Sequence, residues 1–77
     1  MLKPSQVLET YYLEARRDLL ELAALLDRYD AAVQREGSNA EDETKLAILR
    51  QAMARLADSA LPAGDRTSEL LELFAKI

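Results

Sequence analysis

The side chains whose type and position raise the question of covalent or proton-transfer chemistry are the tyrosines Tyr11, Tyr12 and Tyr29, the hydroxyls Ser5, Ser38, Thr67 and Ser68, and the carboxylates Glu9, Glu14, Asp18 and Glu21. A nucleophilic serine or threonine needs a base within hydrogen-bond reach, and a catalytic tyrosine needs a neighbour that lowers its pKa and a pocket that holds substrate. Histidine and cysteine are absent. Their absence removes imidazole bases, thiolate nucleophiles, disulfides and the usual nitrogen and sulfur metal ligands. The carboxylates would suit a di-iron or di-manganese bundle site only alongside a Glu-x-x-His pattern projecting inward, which the sequence lacks. Ser5, Ser38, Thr67 and Ser68 read as helix caps, the tyrosines as packing residues with hydroxyls at the rim, and the carboxylates as solvated charge. No catalytic residue, metal site or cofactor is expected, and the chain reads as a non-enzyme.

The elements that carry these residues are helical. Pro4 suits the first turn of a helix and Gly37 the left-handed position just past its end, with neither Pro nor Gly between them. Leu8, Tyr12, Ala15, Leu19, Leu22, Leu26, Tyr29 and Val33 follow one another in alternating steps of four and three, the repeat of a helix packed lengthwise on a neighbour. The spacing predicts a first helix over 5–36. Glu14, Glu21, Arg28 and Arg35 recur on the opposite face, and Arg17 can pair with Glu21 one turn on.

Ser38 and Glu41 have the spacing of a capping box, and Leu46, Leu49, Met53, Leu56 and Ala60 repeat the alternation, predicting a second helix over 40–60. Leu61, Pro62, Ala63 and Gly64 break the pattern. Asp65 then caps a third helix over 66–76, with Leu70, Leu71, Leu73, Phe74 and Ile77 on its apolar side. The short connection after Gly37 makes the second helix antiparallel to the first. The expectation is an all-α, bundle-like single domain over 1–77: a long helix, an antiparallel second helix forming a helical hairpin, and a short C-terminal third helix.

Ten basic and fourteen acidic residues give a formal charge of −4, with no basic cluster. Phosphate-backbone binding draws on clustered Lys and Arg, so nucleic acid is not an expected partner. The longest apolar run, Leu22 to Leu26, is far short of the ~20 residues of a membrane span, and no basic region followed by an apolar stretch opens the chain. A cytoplasmic location without membrane contact is therefore expected.

The run Tyr12-Leu13-Glu14-Ala15-Arg16-Arg17-Asp18-Leu19-Leu20, continued by Ala23-Ala24-Leu25-Leu26-Asp27-Arg28, resembles a family of short bacterial all-helical proteins of unknown function. The resemblance covers mainly residues 8–33. It implies a bacterial origin and a helical fold and carries over no site.

Seventy-seven residues make a thin core, and such chains gain stability from tight helix packing or from association. The apolar stripe of the first helix is wider than one covering helix needs, because Tyr11 and Leu25 flank one side and Leu13 and Leu20 the other. Arg16 and Asp30 on one edge of the seam, and Asp18 on the other, stand where interhelical ion pairs select a partner. Tyr11, Leu13, Arg16, Asp18, Leu20, Leu25 and Asp30 are thus the expected interface of a homodimer or other homo-oligomer. The alternative is an adaptor or chaperone-like module that takes an amphipathic helix of another protein.

Overall fold

A computed structural model describes residues 1–58, 60 and 64–76. The chain is all-α, with three helices and no strand among the described residues: α1 (Pro4–Glu36), α2 (Thr44–Ala57) and α3 (Arg66–Phe74). It resolves into two compact units, Met1–Asn39 and Ala40–Ile77. The antiparallel pairing expected of α1 and α2 would bridge these units and stands as an expectation.

The bounds of α1 follow its punctuation. Pro4 occupies the first turn, and Lys3, in extended backbone at φ −74° and ψ 158°, is the N-cap. The Lys3 N–H donates to Gln6 Oε1 at 2.8 Å. This is half a capping box, since a lysine has no acceptor with which to return the bond. Ser5, expected as a start-of-helix cap, lies one residue inside the helix. At the other end Gly37 adopts φ 78° and donates its N–H to the Val33 carbonyl at 2.8 Å, with Arg35 in the last turn beside the negative end of the helix dipole.

α2 is shorter than the expected 40–60 at both ends, and an aspartate is responsible each time. Asp42 Oδ1 accepts from the Thr44 N–H at 2.9 Å and from the Thr44 hydroxyl. Asp58 Oδ1 accepts from the Ala60 N–H at 2.8 Å, and Asp58 itself is extended at φ −79° and ψ 108°. Such bonds to a backbone N–H two residues on offer the chain a turn in place of a helical one. Ser38 accordingly lies well ahead of α2 rather than capping it. The expected break at 61–63, and Ile77, lie outside the described residues. Asp65 stands at the N-cap of α3 as its position predicted, although its carboxylate makes no capping hydrogen bond.

α2 and α3 pack on each other. The buried residues are Ile48 and Ala52 of α2 and Leu73 of α3, with Leu70 against them. This face of α2 is not the one the alternation marks. At about 100° per residue, Ile48 and Ala52 lie roughly a quarter-turn round from the stripe of Leu46, Leu49, Met53 and Leu56. Leu46, Leu49 and Met53 flank the contact half-buried and Leu56 is exposed. The small Ala52 leaves room on that face for the side chains of α3. At the rim Arg55 Nη1 meets Glu69 Oε2 at 3.1 Å, a partly exposed pair worth at most about 1 kcal/mol.

Candidate functional site

The feature of the molecule that calls for a function is the surface of α1. No residue of its 33 is buried, although the helix carries the longest apolar stripe in the sequence. The stripe is not uniformly open. Leu22, Leu26, Tyr29 and Val33, toward the C-terminal end, are half-buried. In the N-terminal half, Leu8 and Leu13 are 71% exposed, Leu19 64% and Tyr12 62%. Burying a leucine fully stabilises by about 1.5–3 kcal/mol relative to leaving it in water, so this half forgoes a large apolar contribution.

Four apolar residues assigned to an interface by sequence, Tyr11, Leu13, Leu20 and Leu25, are exposed on α1, and so are the charged Arg16, Asp18 and Asp30. All seven lie on one continuous helix, Pro4–Glu36, which holds their relative positions rigidly. Asp18 meets Arg17, with Oδ1 3.1 Å from Nη2 and 3.3 Å from Nε. The ion pair shown for Arg17 is thus with its sequence neighbour rather than with Glu21. Both side chains are about two-thirds exposed, so the pair leaves Asp18 open to exchange for another partner. Leu8, Tyr12 and Leu19, assigned by sequence to the packed seam of the helix, belong to the open surface too.

The unit built from α2 and α3 carries a separate feature that sequence reasoning missed. Lys45, Ile48, Leu49 and Phe74 line an open, mainly apolar hollow of about 330 Å³. Sequence spacing sets Phe74 toward Tyr12 or Leu8 of the first helix, and so gives no reason to look for a hollow beside Lys45 and Leu49. Its one charged liner, Lys45, brings no second polar group to orient a reacting substrate.

Among the described residues no three carboxylates converge to hold a metal ion. No helix among them is long and apolar enough to cross a membrane. Comparison with known protein families, characterised proteins and solved structures finds no match for this chain.

Proposed function

We propose that this protein is a small non-catalytic interaction module that self-associates through the apolar face of α1, in the cytoplasm of a bacterium. The observation that supports this most is the exposure of Leu8, Tyr12 and Leu19 along one face of an unbroken helix, with Leu13 exposed on its flank. A contiguous apolar strip of this kind gains free energy by leaving water, and identical copies present the same strip to one another. A two-fold dimer closes the contact with one kind of interface and leaves no unsatisfied face to propagate. The charged residues bordering the strip, Arg16, Asp18 and Asp30, act on register and partner choice more than on affinity.

Light scattering over a dilution series tests the proposal. The mass should rise from that of one chain toward that of two as the concentration passes through the micromolar range. A single-chain mass at several hundred micromolar overturns it.

The hollow lined by Lys45, Ile48, Leu49 and Phe74 supports a second reading, an adaptor that receives an apolar side chain from an amphipathic helix of another protein. Under that reading the chain stays monomeric when free, and Phe74→Ala, rather than a change on α1, abolishes capture of a partner.

A further inference from the structure

Two copies of α1 can pair in parallel or antiparallel, and the charges beside the seam discriminate between the two. In heptad terms Tyr12, Leu19, Leu26 and Val33 occupy one core position, and Leu8, Ala15, Leu22 and Tyr29 the other. Next to this seam run Glu9, Arg16, Ala23 and Asp30 on one edge and Tyr11, Asp18, Leu25 and Ala32 on the other. In a parallel pair each edge residue faces one on the opposite edge five places on. Tyr11 then meets the partner's Arg16, Asp18 the partner's Ala23 and Leu25 the partner's Asp30, with no opposite charges together. The parallel seam also sets Tyr12 against the partner's Tyr12 and leaves a gap where Ala15 meets the partner's Ala15.

In an antiparallel pair like edges face each other, and of the seven registers that set one core position against the other, two overlap only at a helix end, one brings no two edge charges together, and four remain. One opposes Arg16 to the partner's Arg16, and another opposes Glu9 to the partner's Asp30, so both place like charges together. A third joins Arg16 to the partner's Asp30 but relies on Leu22, Leu26, Tyr29 and Val33, which are already half-buried and have less apolar area left to shelter. The fourth sets Leu8 against the partner's Leu19 and the large Tyr12 against the small Ala15 of the partner. It brings Glu9 to the partner's Arg16 twice by symmetry and puts the Tyr11 hydroxyl beside the partner's Asp18. It alone combines opposite charges, large against small, and the half of the helix that is most open.

We infer that two copies of α1 pair antiparallel over residues 5–22, with Glu9 of each chain against Arg16 of the other and Tyr12 of each over Ala15 of the other. The inference rests on the self-association proposed above and specifies its geometry. The overlap is about 27 Å long at 1.5 Å per residue, which places the contact at the small end of specific interfaces and the affinity in the micromolar range.

The chain has no cysteine of its own, so introduced ones report proximity without background. A Glu9→Cys chain mixed with an Arg16→Cys chain should give a mixed disulfide on mild oxidation, the other Glu9–Arg16 pair of that dimer staying intact. Neither variant should link to itself, because like positions lie about 10 Å apart along the axis in this register, beyond the reach of a disulfide. Arg16→Glu should weaken the dimer about tenfold by setting like charges together twice, and Glu9→Arg in the same chain should restore it. A dimer in which Glu9→Cys and Arg16→Cys fail to link, or in which Leu8→Cys links to itself, overturns this geometry while leaving self-association standing. A wild-type chain that remains monomeric removes both.

Discussion

Asp42 shows how much one exposed side chain decides in a protein with so small a core. Its carboxylate takes both the N–H and the hydroxyl of Thr44, and these two bonds, helped by the charge of Lys45, hold its pKa below the ordinary value of 3.8. A carboxyl group whose folded-state pKa is depressed favours the folded state above its unfolded value, and that contribution disappears as pH falls through the folded value. Asp42→Asn should therefore be less stable than the wild type at neutral pH, and the gap should close as acid is added below pH 3.8. Parallel thermal melts of the two proteins would show this, and a gap that stays constant into strong acid would contradict it. In the same variant the Thr44 amide should exchange faster with solvent at neutral pH, because it loses its charged acceptor.

At the scale of the helix, both the ends and the buried face depend on local chemistry. Gly37 ends α1 in a left-handed conformation that costs other residues about 1–2 kcal/mol. A Cβ placed there meets nothing within 4 Å, so only backbone strain would oppose it. Gly37→Ala should thus fray the last turn of α1 and cost about 1 kcal/mol of local stability, read as faster exchange of the Arg35, Glu36 and residue 37 amides. Unchanged protection would contradict the cap. In the second unit Ile48, Ala52 and Leu73 are the buried residues among those described, and Leu73 is the one contributed by α3. Leu73→Ala should cost about 2–5 kcal/mol, more than so thin a core can lose, and should melt α2 and α3 together in circular dichroism. Survival of both helices would show that the Ile48–Ala52–Leu73 contact is not what holds them.

The start and end of α1 were legible in sequence because Pro4 and Gly37 act through backbone geometry, which composition reveals directly. The ends of α2 were not. Asp42 and Asp58 have the residue type for a helix-competing bond, but whether each forms depends on a side-chain rotamer that spacing does not determine. The inward face of α2 was misplaced for a different reason. Its stripe of Leu46, Leu49, Met53 and Leu56 is real, but which part faces inward is set by the helix that packs on it, and that helix covers Ile48 and Ala52.

At the scale of the whole molecule, the structure presents an amphipathic helix whose apolar face is open to water over its N-terminal half. The sequence identified the stripe and the charges at its edges, because a period of seven is visible in residue types alone. It did not reveal that the open part is the N-terminal half, because exposure depends on everything that surrounds a residue. That gradient from open to half-buried is why the antiparallel contact is placed around Tyr12 and Ala15. Leu19→Glu sets a charge against the partner's Leu8 twice per dimer and should abolish association while leaving the helix content of the chain unchanged.

Sedimentation equilibrium of the wild type beside Leu19→Glu is the most direct measurement of the account. The wild type should approach twice the 8.6 kDa of one chain at high micromolar concentration and dissociate on dilution, while the variant stays at the single-chain mass throughout. A wild type that sediments as one chain across that range, or a variant that associates as well as the wild type does, would contradict the claim that the face of α1 is built to meet another copy of itself.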